Sequence, residues 1–250
     1  MKKFLLDAQF CQFNTQSDSE VLLGLFTYEL SKIKFDIINN KHIFKALKEV
    51  YKKCEGGFAV TMIVEGVGLV AFRDANGIRP LVVGKKDDGS FMVASESSAL
   101  SALGYEFEYD VDPGGAVIIS EKGVVEKSVC SDSVSHSPCL FEFVYFSRPD
   151  SVIDSISVHK SRLRMGDFLG AKILKEYSHL NIDAVIPVPD TSRTSAMQVA
   201  YKLGVKYREG FIKNRYIGRT FIMPGQSIRK RSVAHKPVSY THLTSPRDSR

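Results

Sequence analysis

The sequence predicts two halves, an α+β layered half followed by an α/β half. Helical patterns and then hairpin patterns fill residues 1–130, an order typical of helices packed on antiparallel sheets. A short serine-rich polar segment at residues 131–138 is predicted to be a linker. From residue 139 onward strand and helix patterns alternate, which indicates a parallel sheet. With 250 residues and 44% hydrophobic content, the chain is large enough for two cores.

Two helices open the first half. Residues 17–20 (Ser-Asp-Ser-Glu) match a capping box, and a one-sided apolar series follows them at Val21, Leu22, Leu25, Phe26 and Leu30. A second helix is predicted at residues 43–51, before the paired glycines Gly56 and Gly57. Hairpin strands are then predicted at residues 58–64, 69–72, 81–83, 91–94, 116–119 and 124–127.

The second half alternates strands and helices. A strand is predicted at 140–146, a helix at 156–177, a buried strand at 184–188, a helix at 196–203 and a strand at 207–212. In parallel sheets ligands bind beyond the carboxyl ends of the strands. In this chain those ends lead into the turn 190–195 and the loop that begins at Lys213.

The positive charge is confined to one segment. The net charge is +6, and the stretch from Arg208 to Arg231 holds seven basic residues and one acid, so the remainder is neutral. A local patch favours a compact phosphate-rich ligand over nucleic acid, and no recognition helix or zinc-finger spacing is present. No apolar run reaches the ~18 residues that span a bilayer, and no secretion signal is visible, so we expect a cytoplasmic protein with no membrane partner. The four cysteines lack a C-x-x-C pair, which argues against a disulfide framework or zinc site.

Two segments carry residues suited to phosphate. Lys213, Arg215 and Arg219 lie within seven residues of a glycine-punctuated loop, which fits a loop that orders around an anion, although a solvated basic loop is the alternative. The turn 190–195 is rich in hydroxyls at a predicted helix N-terminus, where phosphate or magnesium-bound phosphate binds, and ordinary N-capping is its alternative. Taken together, the two segments favour phosphate.

Other polar residues are predicted to be structural. The charged loop at residues 73–80 contains the turn signal Asn76-Gly77, and Asp87 and Asp88 lie in a hairpin turn. Asp18 could bind a substrate amino group, but interaction with the helix dipole is the favoured interpretation from the sequence alone. No histidine stands in a recognisable nucleophile arrangement.

Taken in order, these motifs resemble the glutamine amidophosphoribosyltransferases (glutamine phosphoribosylpyrophosphate amidotransferases). The matching stretches are residues 17–20, 72–80, 93–97, 139–151, 186–192 and 213–226, and the resemblance runs from about residue 12 to Lys236. It implies part of an N-terminal-nucleophile glutamine amidotransferase domain (layered αββα) at 1–130. It also implies part of a type I phosphoribosyltransferase domain at 139–236.

The resemblance implies a function and a set of site residues. The family uses ammonia from glutamine to aminate phosphoribosyl pyrophosphate, giving phosphoribosylamine in the first step of de novo purine synthesis. Purine nucleotides inhibit it, Mg²⁺ is its metal, and a homo-oligomer is expected of the intact protein. Asp18 would hold the α-amino group of glutamine, and Thr191 and Ser192 would lie at the magnesium–pyrophosphate position. The phosphates would contact Lys213, Arg215 and Arg219, and the ammonia channel would be lined by Tyr216 and Ile222.

The chain also departs from the family pattern. Residue 1 is Met where the family has its nucleophilic Cys, and the early Arg-Tyr and His-Asn-Gly elements and the later paired aspartates are absent. Residues 237–250 match nothing in the family and are expected to be a non-native tail. We therefore expect an internal fragment with no catalytic residue and with neither glutaminase nor synthase activity. Some family members bind an iron–sulfur cluster through a Cys at the position of Cys139 and three later ones; a buried thiol is expected for Cys139.

Three alternatives stay open on the sequence. A lone phosphoribosyltransferase would not need the hairpin-rich first half. The glutaminase of glucosamine-6-phosphate synthase shares the Asp18 element but not the turn and loop of the second half. A non-catalytic nucleotide-binding or regulatory module is the third alternative.

Overall fold

The computed structural model describes residues 3, 5, 12–213, 225–235 and 237–239, with backbone alone from residue 231 onward. The chain forms two compact units. The first comprises Met1–Glu142 together with Asp150–Ser155, and the second comprises Phe143–Pro149 together with Ile156–Arg250. The chain therefore enters the second unit, returns to the first for six residues, and leaves it again.

Among the described residues, the helices of the first unit include α1 (Asp18–Ser31), α2 (Asn40–Lys53) and α3 (Ser97–Ala102). The first two confirm the predicted helices. At the start of α1, Ser17 accepts a hydrogen bond from the backbone N–H of Ser19, as an N-cap does. Glu20 does not complete the predicted capping box, because its carboxylate accepts from the backbone N–H groups of Asn14 and Thr15 instead.

In the part of this unit that the structure describes, seven strands form two antiparallel sheets. They are β1 (Ala59–Val64), β2 (Gly68–Arg73), β3 (Val82–Lys85), β4 (Phe91–Ala94), β5 (Glu106–Asp110), β6 (Gly115–Ile119) and β7 (Val125–Val129). One sheet has the order β1-β2-β6-β7 and the other β4-β3-β5. The predicted hairpins are confirmed, whereas α3 and β5 were not predicted.

The layers follow from strand alternation. Along β2, Val70 and Phe72 pack into the core beneath α1 and α2, while Ala71 between them packs into the core between the sheets. Successive side chains of a strand point to opposite faces of the sheet, so β2 can contribute to two cores because both of its faces are buried. The arrangement of a helix layer, a sheet and a second sheet agrees with the predicted α+β half.

The loop after β2 is built around two buried ions. The Arg73 guanidinium is 1% exposed and donates to the carbonyls of Arg79, Val111 and Gly77, and to both carboxylate oxygens of Asp154. Asp74 is fully buried, and its carboxylate accepts from the backbone N–H groups of residues 76, 78 and 79. This confirms the prediction that the charges at the start of this loop are structural.

The polar segment 131–138 lies against the same loop. Ser135 and Ser137 donate their backbone N–H groups to the carbonyls of Ala75 and Asn76, at 3.1 and 2.8 Å. His136 Nε2 lies 3.0 Å from Asp154 Oδ2. Both contacts fall within the first unit.

The remaining elements are a π-helix (Glu142–Phe146), β8 (Val152–Ile153), β9 (Ile156–Ser157), α4 (Val158–Glu176), β10 (Ala184–Val185), α5 (Arg193–Leu203), β11 (Lys206–Tyr207), β12 (Phe211–Lys213), α6 (Gln226–His235) and β13 (Pro237–Ser239). The strands β10 and β11 pair in parallel, as the strand–helix alternation predicted. β12 pairs with β13 in antiparallel fashion.

The predicted strand at 140–146 is wrong. These residues form the π-helix, and the buried Arg162 of α4 donates to the carbonyls of Phe143 and Ser147, both at 2.8 Å. In an extended strand these carbonyls would accept hydrogen bonds from a neighbouring strand. Here they accept hydrogen bonds from the buried guanidinium of Arg162 instead. The predicted strand at 207–212 is divided, since residues 208–210 separate β11 from β12.

Glycines allow α4 and α5 to pack closely. A Cβ atom on Gly166 would lie 2.5 Å from the carbonyl oxygen of Ser195, and one on Gly170 would lie 2.8 Å from Lys202 Cβ. None of the helices in the described parts of the chain is both long and apolar enough to cross a bilayer.

Candidate functional site

A cavity of about 950 Å³ lies in the first unit, where the start of α1 approaches the end of α2 and the start of β1. Its wall includes Asp18, Lys53, Arg79 and Ser95, together with backbone at Gly57. A small ligand with both a positive and a negative charge is suited to this wall, because the wall carries two carboxylates, those of Asp18 and Glu55, and two cationic groups.

Asp18 is the first residue of α1 and is exposed. Its Oδ1 accepts from the backbone N–H of Ser19 at 2.9 Å, so the carboxylate is held at the helix N-terminus. A carboxylate there is stabilised by the helix dipole and can still accept further hydrogen bonds. The dipole interpretation and the amino-group interpretation are thus compatible.

Arg79 is a cavity residue that the sequence did not single out. Its N–H donates to Asp74 Oδ2 at 2.9 Å and its carbonyl accepts from Arg73 Nε at 2.7 Å. Its Nη1 lies 2.7 Å from Oε1 of the buried Glu142. The backbone of Arg79 thus helps to hold the loop that begins with the buried Arg73 and Asp74, whereas its side chain lines the cavity. The sequence does not distinguish Arg79 from these two structural residues, because the difference depends on tertiary structure.

The other cation in the wall, Lys53, is paired with a buried acid. Glu29 of α1 is 4% exposed, and it accepts hydrogen bonds from Lys53 of α2 and from Lys32. Burial alone would raise the pKa of Glu29, but the two lysines together hold it below its usual value. The pair holds α1 against α2, the two helices that bring Asp18 and Lys53 to this cavity.

The half-buried Cys54 also lines this cavity. Burial raises the pKa of its thiol. A raised pKa keeps the sulfur protonated near neutral pH, and the thiol is a weak nucleophile.

Cys139 is half-buried rather than buried, and its backbone N–H donates to the carbonyl of Ile78 at 3.2 Å. The predicted burial of this thiol is thus only partly met.

A larger cavity of about 1100 Å³ is lined mainly by hairpin turns, including residues 88–90 and 120–123. Its charged residues are turn residues such as Asp88 and Glu121. It contains none of the motifs that suggested chemistry, so the smaller cavity is the better candidate.

In the second unit, the predicted phosphate turn stands between β10 and α5. Thr191 and Ser192 precede the first residue of α5, and both are partly buried. Ser192 has no side-chain capping bond; its hydroxyl donates to the carbonyl of Val188. The hydroxyl of Ser192 therefore does not act as an N-cap of α5, which was the alternative to phosphate binding.

Four charges meet beside this turn. Asp190 lies 3.5 Å from Lys213 Nζ and 3.9 Å from Arg193 Nη2. Arg193 Nη2 also lies 3.4 Å from Glu209 Oε2, an ion-pair distance without hydrogen-bond geometry. The hydroxyl of Tyr207 donates to Glu209 Oε1 at 2.6 Å, and burial together with that carboxylate raises the pKa of Tyr207 to about 12.

The structure places only part of the predicted phosphate loop. Lys213 ends β12 and lies at the turn, whereas Arg215, Tyr216, Arg219 and Ile222 lie outside the described residues. Within the described ranges, no group of three or more His, Cys, Asp or Glu residues could hold a metal ion. The hydroxyls of Thr191 and Ser192 therefore fit Mg²⁺ only when substrate oxygens and water complete its ligands, which is how Mg²⁺ commonly binds with phosphates.

Comparison with known proteins shows what this chain is similar to. The sequence pattern of a glutamine amidotransferase domain matches residues 3–102. The chain is 49% identical to an amidophosphoribosyltransferase of Pseudomonas aeruginosa over 239 residues, which is 94% of this chain and 48% of that protein. The Escherichia coli and Saccharomyces cerevisiae amidophosphoribosyltransferases are 48% and 47% identical, again over 94% of this chain and 48% of each protein. These relatives confirm the resemblance of the chain to the amidophosphoribosyltransferases.

The fold agrees with the family. The glutamine phosphoribosylpyrophosphate amidotransferase of B. subtilis, solved with ADP and GMP, superposes with a TM-score of 0.75 at 34% identity, over 97% of this chain and 49% of that one. A second solved structure, described as the allosteric regulatory enzyme of purine biosynthesis, gives a TM-score of 0.74 at the same identity. The chain thus spans about half the length of the amidophosphoribosyltransferases that it matches.

Proposed function

We propose that this chain contributes the glutamine site and part of the phosphoribosyl pyrophosphate site to glutamine-dependent synthesis of 5-phosphoribosylamine, the first step of de novo purine biosynthesis. The observation that carries the proposal is the identity of 46–49% to several amidophosphoribosyltransferases over most of this chain. The residues proposed for the two sites belong to separate units, which is compatible with two half-reactions joined by ammonia transfer.

Glutamine would occupy the cavity that contains Asp18. Its α-ammonium group would pair with the Asp18 carboxylate, a charge-assisted hydrogen bond that a neutral analogue cannot make. Lys53 and Arg79 would hold the wall, each already fixed by its own buried acid.

Phosphoribosyl pyrophosphate would bind as its magnesium complex beside the turn 190–195. Mg²⁺ would neutralise charge on the pyrophosphate leaving group, with Thr191 and Ser192 as its protein contacts. Lys213 would contact the phosphates, and Arg215 and Arg219 would join it when the loop closes and excludes water. Tyr216 and Ile222 would line the path for ammonia. Inhibition by purine nucleotides, a homo-oligomer and a cytoplasmic location complete the proposal, and the solved B. subtilis relative with ADP and GMP supports the first of these.

Titration with glutamine tests the first half of the proposal. We expect saturable binding to the 250-residue chain, weakened about tenfold to a hundredfold by Asp18→Asn, because a hydrogen bond to a charged group contributes about 1.5–3 kcal/mol. The matched control is Asp87→Asn, which removes an exposed turn carboxylate of the same unit. Equal affinities for the Asp18 variant and the wild type would rule out the assigned role.

The 250-residue chain by itself is expected to release no pyrophosphate from phosphoribosyl pyrophosphate and glutamine, because it spans only about half the length of the amidophosphoribosyltransferases that it matches. Turnover by the purified chain, measured by a coupled pyrophosphate assay, would contradict this. Binding of nucleotides without binding of glutamine would favour the regulatory-module alternative.

A further inference from the structure

The turn at residues 190–195, the proposed phosphate site, contains a carboxylate that already pairs with the nearby cations. Asp190 lies within ion-pair distance of two cations, Lys213 and Arg193. Arg193 directly follows Ser192 in sequence, and Lys213 is the first residue of the proposed phosphate loop. A phosphate group that contacts Lys213 must therefore compete with a carboxylate of the protein itself.

We propose that Asp190 is an electrostatic placeholder that occupies Lys213 and Arg193 until the pyrophosphate group of the substrate displaces it. The proposal rests on the pyrophosphate site of the proposed function and adds its regulation. All four side chains of the cluster are partly exposed, so each ion pair is weak and can be exchanged for another anion. A weakly paired carboxylate at this position would compete successfully with dilute monoanions for the two cations, but not with a ligand that carries several negative charges.

The neighbours of Asp190 explain why it can move without collapse of the turn. Arg193 keeps a second acid, Glu209, at 3.4 Å, and Glu209 is itself held by the Tyr207 hydroxyl. When Asp190 leaves, Arg193 therefore retains a partner, whereas Lys213 has Asp190 as its only ion pair among the described residues. Displacement thus frees Lys213 selectively.

The sign of the effect distinguishes a placeholder from a ligand. If Asp190 occupies Lys213, its removal strengthens anion binding in the absence of metal. If Asp190 instead held the substrate through Mg²⁺, its removal would weaken binding and would do so only with the metal present. Calorimetric titration with pyrophosphate in excess EDTA at low ionic strength isolates the first case.

We expect Asp190→Asn to tighten metal-free pyrophosphate binding about threefold to tenfold, the range expected from removing one or two exposed ion pairs. Asp183→Asn is the matched control, since it removes an exposed carboxylate at the opposite end of β10 and changes the net charge equally. The gain should vanish when Asp190→Asn is combined with Lys213→Met. Far-UV circular dichroism checks that each variant is folded.

An unchanged or weaker affinity in Asp190→Asn, with measurable binding by the wild type, would overturn the placeholder and leave the proposed function standing. An equal gain in Asp183→Asn would also overturn it, because net charge would then explain the effect. Binding by Asp190→Asn but not by the wild type would support it. Absence of pyrophosphate binding by all variants would overturn both the placeholder and the assigned site.

Discussion

The ion pair between Arg73 and Asp154 makes a quantitative prediction about the first unit. The two residues are 81 positions apart in sequence and join the return segment Asp150–Ser155 to the loop after β2. Both guanidinium nitrogens Nη1 and Nη2 bind one carboxylate, at 2.7 and 2.8 Å. Asp154→Asn keeps the shape of the side chain and removes its charge.

We expect this substitution to lower the free energy of unfolding by about 3 kcal/mol, the low end of the cost of leaving a buried ion without its partner. The low end applies because Arg73 keeps three backbone carbonyl acceptors. The chain has no tryptophan, so urea unfolding is followed by far-UV circular dichroism. Asp87→Asn, an exposed carboxylate, should change stability by less than about 0.5 kcal/mol.

The effect also has a defined pH dependence. Burial would raise the pKa of Asp154, but Arg73 and His136 together hold it below its usual value. A depressed pKa gives stability that is present above the ordinary pKa and is lost as the pH falls through the folded-state pKa. The difference between wild type and Asp154→Asn should thus be largest near neutral pH and shrink below about pH 4. A loss under about 1 kcal/mol, or a difference that does not change with pH, would refute this account of the ion pair.

Three further substitutions test the packing. Glu29→Gln should lower the free energy of unfolding by about 1–3 kcal/mol near neutral pH, and by less in acid, because the pKa of Glu29 is lowered in the folded protein. Its control is Glu49→Gln, which breaks an exposed pair with Lys52 and should lower the free energy of unfolding by under about 1 kcal/mol. Urea unfolding of both variants is measured as a function of pH. Tyr51→Phe should cost about 1–2 kcal/mol by the same assay, because its buried hydroxyl donates to the carbonyls of Arg73 and Gly115. Gly166→Ala should destabilise the second unit by about 1–3 kcal/mol in thermal unfolding, despite the higher helix propensity of alanine, because the new Cβ would lie 2.5 Å from a backbone carbonyl; unchanged stability would show that α4 and α5 can move apart.

The sequence predicted elements whose signal is local. The one-sided apolar series of α1 and the glycine turns between strands depend on residues that are near in sequence, and these elements were found. The six residues of α3 and the charged strand β5 (Glu-Phe-Glu-Tyr-Asp) carry little such signal. They form because Leu100 and Val111 reach buried positions beside the second sheet.

Long-range contacts account for the errors. The apolar and aromatic run at 140–146 has the composition of a strand, but a guanidinium 15 and 19 residues later in the chain binds its carbonyls and holds a π-helix. The same limit applies to the sites. A motif pointed to Asp18, whereas the places of Arg79 and Lys53 in the same cavity depend on how the β2 loop and α2 pack.

Two titrations on one protein test the central claim most directly. The 250-residue chain is titrated with glutamine and with the magnesium complex of phosphoribosyl pyrophosphate, as wild type, Asp18→Asn and Lys213→Met. The account predicts that both ligands bind, that the Asp18 variant loses affinity for glutamine alone, and that the Lys213 variant loses affinity for phosphoribosyl pyrophosphate alone. Failure of either ligand to bind the folded wild-type chain, or equal losses for both ligands in either variant, would contradict it.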